Sequence, residues 1–303
     1  MKYDIHPDYQ KLNVPIFMDK LLLPLMQAGT KILFQGQNNL YNTKSSYCVI
    51  DTYKNRKIRV GIFSPVIENE RMPCLLFIHG GAFALYAADY HKRLICEYSK
   101  KVNCKVVYID YGLVPKYPFP YGLEDCYAAY KWIIENSNEL KIDIEKIAVC
   151  GDSAGGALAA GLTQLIRDRK APQLLFQMLI YPVIDIKQDT CSMKTYHDTP
   201  MWNSKLNSKM WRHYLVNVHD RKYASPIETE DLSNLPGAYI EVAQFDCLHD
   251  EGLEYAEKLK KSGVEVTVND TLGTIHGFDY NDKTEYSREI IGKRVNYMKN
   301  AYK

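Results

Sequence analysis

The stretch Gly151-Asp152-Ser153-Ala154-Gly155-Gly156 sets one serine among small residues, where the apolar run Ile147-Ala148-Val149-Cys150 gives way to an Ala/Leu-rich helical pattern. A strand that passes into a helix through so tight a turn holds its serine in strained backbone geometry. Gly151 and Gly155 remove the Cβ atoms that would otherwise collide with the neighbouring strand and helix. The hydroxyl is thereby presented at the tip of a sheet, the layout of a nucleophile elbow. A bare G-x-S-x-G occurs by chance in many chains, so the weight of the motif comes from the strand before it, the helix after it and two companion constellations.

The first companion is His79-Gly80-Gly81-Ala82, which follows the apolar run Cys74-Leu75-Leu76-Phe77-Ile78. Acyl transfer through a tetrahedral intermediate places negative charge on the former carbonyl oxygen. Backbone N–H groups stabilise that charge only where the chain can curl closely around it, which small residues permit. The second companion is Asp246, after the strand-like Ala238-Tyr239-Ile240-Glu241-Val242-Ala243, together with the late His276. Nucleophile, acid, then histidine is the chain order of an α/β-hydrolase triad. Asp250 is the rival acid, but Asp250 and Glu251 stand where a helix begins and are explained by capping and dipole effects, so Asp246 is preferred. By the same reasoning His79 shapes its loop, Asp152 braces the elbow, Glu124 and Asp125 open a helix, and His213 and His249 are surface or cap residues.

These residues resemble the hormone-sensitive-lipase-like branch of the α/β-hydrolase esterases. The likeness rests on His79-Gly80-Gly81-Ala82, on Tyr111-Gly112-Leu113-Val114-Pro115-Lys116-Tyr117-Pro118-Phe119-Pro120 with Glu124-Asp125, and on Gly151 to Gly156. It continues through Tyr181-Pro182-Val183, Asp246-Cys247-Leu248-His249-Asp250-Glu251-Gly252 and His276-Gly277-Phe278, in family order from about residue 58 to the C-terminus. Ala82 stands where the family has glycine, Gly112 and Val114 where it has arginine and alanine, Lys116 where it has an acidic residue, and Cys247 where it has proline. The resemblance implies Ser153, His276 and Asp246 as the catalytic triad. The N–H groups of Gly81, Ala82 and Ala154 then form the oxyanion hole, each donor contributing about 3 to 4 kcal/mol by comparison with single-donor deletions.

A chain of 303 residues suits one α/β domain with a large core. With Lys+Arg 38 against Asp+Glu 36, the net charge of +2 offers no electrostatic footprint for nucleic acid or an acidic membrane surface. Residues 1–8 lack the basic region followed by an apolar run that export requires, and no stretch is long enough to span a membrane. The cytoplasm is therefore the expected address. The eight cysteines are scattered singly without a Cys-x-x-Cys pair, so they read as buried reduced thiols, and no metal or cofactor site is expected.

Short β-rich runs alternate with helical patterns, which predicts a mostly parallel central sheet with helices on both faces. Strands are expected at 57–63, 74–78, 105–110, 147–150, 174–181, 237–243 and 264–269. Helices are expected behind Ser153 through Leu158, Leu162, Leu165 and Ile166, over 251–262 with Gly263 as a left-handed cap, and around Ile291, Val295 and Met298. Residues 1–45 and 186–224 fall outside this alternation. The reading is one α/β-hydrolase domain over 1–303, with those two segments folding over the sheet's C-terminal edge as a cap and Tyr196, Met201, Trp202, Trp211 and Tyr214 as candidates for the pocket wall.

The function expected is hydrolysis of carboxylic esters through an acyl-enzyme, on short- to medium-chain acyl or acetyl esters of a small molecule. A homodimer is plausible by analogy. An amidase or formamidase shares this machinery. A non-catalytic receptor on the same fold, known from a plant hormone receptor that has lost its triad histidine, is disfavoured by the presence of His276. An interfacial lipase needs an exposed apolar lid, for which the charge beside Leu21-Leu22-Leu23 does not argue.

Overall fold

The computed structural model describes every residue except 1, 20, 68–70, 217, 219 and 220, eight positions of which five fall within the two presumed cap segments. In chain order the elements are α1 (Leu23–Gly36), β1 (Thr43–Thr52), β2 (Arg56–Pro65), β3 (Met72–Ile78), α2 (Asp89–Val102), β4 (Lys105–Asp110), α3 (Tyr121–Glu135) and β5 (Ile142–Asp152). They continue as α4 (Ala154–Asp168), β6 (Phe176–Ile180), α5 (Cys191–Thr195), α6 (Ser204–Tyr214), β7 (Gly237–Phe245), α7 (His249–Lys261), β8 (Val266–Ile275) and α8 (Glu285–Ala301).

The strands form a single sheet in the order β1-β2-β4-β3-β5-β6-β7-β8, antiparallel at β1/β2 and β2/β4 and parallel from β4 to β8. Successive side chains of a strand point to opposite faces, and a sheet covered on both faces must be apolar on both. In β3, Cys74, Leu76 and Ile78 accordingly pack with Leu123 and Ile133 of α3, Leu158 and Leu162 of α4 and Leu259 of α7. Leu75 and Phe77 face the other way, into a layer with Leu94 and Ile95 of α2 and Ile291, Val295 and Met298 of α8. This is an α/β-hydrolase fold. Ser153 stands at the C-terminal end of β5, Asp246 directly after β7 and His276 directly after β8, so three parallel strands deliver the chemistry-bearing residues to one edge of the sheet.

Several elements were not read from the sequence, among them helix α2, strand β1 and helix α6. Strand β1 is an edge strand that buries Thr43 and Ile50 but leaves most of its length at least partly open, so it lacks a clean apolar alternation. Helix α6 lies in the stretch read as having little periodicity; Leu206, Met210 and Tyr214 recur at helical spacing, and the Asn203 side chain accepts a hydrogen bond from the Leu206 N–H at 3.2 Å to cap it. Gly263, with φ +82°, is the left-handed residue after α7. All eight cysteines are free; six are buried, whereas Cys48 is half-buried and Cys191 exposed, contrary to the reading of them all as interior thiols. Among the described residues no helix is long and apolar enough to cross a membrane.

Candidate active site

Ser153 has φ +55° and ψ −120°, a region that costs a side-chain-bearing residue of order 1–3 kcal/mol. Packing enforces it. The Ser153 N–H donates to the Ile180 carbonyl at 2.8 Å, and the Ser153 carbonyl accepts from Val183 at 3.1 Å. A Cβ on Gly151 would overlap the Gly155 carbonyl, and one on Gly155 would overlap the Ile78 carbonyl, so β3, β5 and α4 approach this closely only through glycine.

The Ser153 hydroxyl lies 2.9 Å from His276 Nε2, and His276 Nδ1 lies 2.6 Å from Asp246 Oδ2. A carboxylate can only accept, so Nδ1 carries the proton and Nε2 turns its lone pair to the serine. Asp246 is fully buried, and its other oxygen accepts from the Leu248 N–H at 3.1 Å. Asp250 points elsewhere: it accepts from the Ser192 N–H at 2.7 Å and pairs with His249.

The loop from His79 lies against the elbow. Asp152 Oδ1 accepts from the Gly80 N–H at 3.0 Å, and Oδ2 accepts from Tyr90 at 3.2 Å and His91 Nε2 at 3.1 Å. Burial alone would raise the Asp152 carboxyl, but His91 and the Gly80 N–H hold it below the usual carboxylate range. His91 Nδ1 accepts from the Ala88 N–H at 2.8 Å, which leaves Nε2 as the proton donor to Asp152. His79 is buried against Tyr108 and Tyr111, and burial, reinforced by His91, pulls its pKa down to about 3. Its Nδ1 donates to the Gly80 carbonyl at 2.6 Å, so it shapes the loop as a neutral ring. Gly81 has φ +113°, and Ala82 and Phe83 have φ +58° and +56°. Alanine therefore does reach the left-handed conformation at the position where the family has glycine, at a cost of about 1–2 kcal/mol.

These groups border a cavity of about 150 Å³. Gly81, Ala82, Ser153 and His276 line it, together with Val14, Ile16, Met26 and Leu33 from the N-terminal segment and Met201 and Trp202 from the 186–224 insertion. Ala154 is buried as the first residue of α4 and is not part of that lining; its N–H belongs to the helix's first turn, which has no intrahelical acceptor. Of the five aromatic and methionine wall candidates, Met201 and Trp202 reach the cavity. Tyr214 instead stacks flat on Phe83 at 3.7 Å with Trp211 beside it, and Tyr196 packs on Tyr3 and Phe245, so these three hold the 186–224 insertion against the rest of the fold. The wall residues of the N-terminal segment, and Leu85 and Tyr86, carried no individual signal in the sequence beyond being apolar.

Residues 75–280 match the family model described as the alpha/beta hydrolase fold. The chain belongs to the hormone-sensitive-lipase-like family of α/β-hydrolases. It is 33% identical over 226 residues to the carboxylesterase NlhH of Mycobacterium tuberculosis, covering 73% of this chain and 71% of that protein. It is also 29% identical over 301 residues to an arylesterase of Saccharolobus solfataricus, covering 97% and 96%. Among solved structures, a bacterial heroin esterase superposes with a TM-score of 0.91 at 27% identity over 99% of this chain and 98% of the other.

One departure from the hormone-sensitive-lipase-like pattern has a structural account. Where the family carries an arginine, this chain has Gly112, and the guanidinium of Arg56 fills the space from β2: a Cβ on Gly112 would lie 2.8 Å from Arg56 Nη2. Arg56 is held at 3.1 Å by both oxygens of the buried Asp125 and lies 3.7 Å from the centre of the Tyr117 ring. Cys247 stands where the family has proline, and its carbonyl accepts from Ser192 Oγ at 2.9 Å.

Proposed function

We propose that this carboxylic ester hydrolase works through Ser153, His276 and Asp246 by way of an acyl-enzyme. Ser153 Oγ attacks the ester carbonyl while His276 Nε2 takes its proton, and the N–H groups of Gly81, Ala82 and Ala154 receive the oxyanion. His276 then returns the proton to the leaving alcohol, and water repeats the sequence in reverse. Asp246 holds the imidazole tautomer and stabilises its cationic form. The observation that carries this reading is the unbroken pair of hydrogen bonds, 2.6 and 2.9 Å, from a buried carboxylate through one imidazole to a serine in elbow geometry. The same continuity argues against a receptor that binds without turnover.

The substrate reading follows from size and polarity. A cavity near 150 Å³ with largely apolar walls resembles in volume an engineered protein cavity that takes up benzene. Acetyl and short acyl groups fit it, and the segments 1–45 and 186–224 act as the cap that sets this limit. The test is a ladder of esters of rising acyl length, together with the matching amides, run on the parent and on Ser153→Ala. Turnover is expected on the shorter esters, with amides far slower. Ser153→Ala is expected to lose a factor of roughly 10⁴ or more in kcat with folding intact. Hydrolysis at the parental rate by Ser153→Ala would overturn the nucleophile.

A further inference from the structure

We propose that Arg294, Asp279 and Tyr181 form a positioning relay that fixes the His276 imidazole against Ser153, an inference that rests on the catalytic reading above. Arg294, from α8, is 1% exposed and lies between two fully buried carboxylates from different parts of the fold. Its Nη2 donates to Glu241 Oε1 of β7 at 2.5 Å, its Nε to the same oxygen at 3.1 Å, and its Nη1 to Asp279 Oδ2 at 2.7 Å. The remaining oxygens are also occupied: Glu241 Oε2 accepts from Tyr239 at 2.9 Å and Asn269 at 3.0 Å, and Asp279 Oδ1 accepts from the Tyr181 hydroxyl at 2.5 Å.

Asp279 stands three residues after His276, in the turn Phe278–Asn281 that opens at Gly277 with φ +67°. Tyr181 follows β6 with φ +32°; its N–H donates to the Glu241 carbonyl at 2.6 Å, and its ring centre lies 4.8 Å from that of His276. Tyr181 also lines the cavity. The relay thus grips the histidine loop twice, through the Asp279 carboxylate and through an aromatic ring set beside the imidazole.

Anchoring α8 to the sheet alone would not call for this arrangement. Apolar side chains already do so at Ile291, Val295 and Met298, and well-packed hydrophobic residues often replace a buried ionic trio without loss of stability. What the trio adds is direction. Every nitrogen of the guanidinium and every oxygen of both carboxylates has a hydrogen-bond partner, so the loop that carries His276 has one preferred position relative to β7. Near-attack geometry between Nε2 and Oγ depends on that position.

Tyr181→Phe keeps the ring against His276 and removes only the hydroxyl that ties it to Asp279. Its kcat on a short-chain ester is expected to fall roughly ten-fold with little change in KM, and labelling of Ser153 by a fluorophosphonate is expected to slow by the same factor. The far-downfield proton resonance of the His276–Asp246 hydrogen bond is expected to broaden or shift. Arg294→Lys, which keeps a cation between the carboxylates, should retain more activity than Arg294→Met. Should Arg294→Met fail to fold, Tyr181→Phe still decides. A folded Tyr181→Phe with kcat within about two-fold of the parent and an unmoved resonance overturns the relay. Ser153→Ala in parallel separates the two ideas: if it is inactive while Tyr181→Phe is fully active, only the relay falls, whereas an active Ser153→Ala removes the mechanism beneath it.

Discussion

At the residue scale, Ser153, Asp246 and His276 were legible because each is tied to a local signal: small residues around the serine, a strand before the aspartate, Gly277-Phe278 after the histidine. The link between Tyr181, Asp279 and Arg294 was not, although Tyr181 stands in a family motif: the network joins residues 15 to 98 apart in the chain, at irregular intervals that leave no spacing to read. Ala82 shows what a single departure costs. Its φ of +58° is one that glycine adopts without steric penalty. Ala82→Gly should therefore keep turnover within a few-fold, since the proposed oxyanion donor is the backbone N–H. Its effect on the thermal midpoint should be neutral or upward, the relief of about 1 kcal/mol offsetting glycine's greater freedom in the unfolded chain. A large drop in the midpoint on calorimetry would mean that the Ala82 methyl carries packing weight greater than its strain.

At the scale of elements, α7 begins with a histidine clasped by two carboxylates. His249 Nδ1 lies 2.9 Å from Asp250 and Nε2 lies 3.3 Å from Asp270. Burial alone would lower its pKa, but hydrogen bonds to Asp270 and Asp250 and their charges lift it to about 9. A pKa raised on folding stabilises the native state fully below the unfolded value, about 6.5, and that contribution is lost as the pH climbs through 9. Because Asp270 is partly open to solvent, the contribution is about 1 to 2 kcal/mol. Thermal melts of the parent and His249→Gln should differ by a few degrees at about pH 6 and converge by about pH 10. A gap that is constant across this range would show that the histidine packs there without titrating. The sequence read His249 as a surface or cap residue; it stands half-buried as the first residue of α7, and its partner from β8 became visible only when that strand folded beside it.

For the molecule as a whole, the alternation of apolar runs made the parallel sheet readable, whereas the edge strand β1 and the covering segments were not resolved into elements. The N-terminal segment departs most from its reading. Leu21, Leu25 and Ile32 are 88%, 74% and 67% exposed, and Leu33 is both exposed and part of the cavity lining. The lid thus has an apolar outer surface that runs into the active cavity, despite the charged residues near Leu21-Leu22-Leu23. Such a surface would suit esters presented at an oil–water boundary, which a rate measurement can test. With a sparingly soluble ester, the rate should climb beyond its solubility limit, and Leu25→Ser with Ile32→Ser should flatten that climb while leaving dissolved esters unaffected. Ordinary saturation that continues smoothly past the limit would dispose of the idea.

Part of the cavity wall comes from segments before the sheet and between its later strands, while the groups proposed to break the bond sit on the turns that end β5, β7 and β8. On this reading selectivity and turnover draw largely on different segments of the chain. Libraries at Val14, Ile16 and Met26 are expected to retune which ester is accepted, whereas Trp202, whose ring centre lies 5.9 Å from that of His276, bears on both.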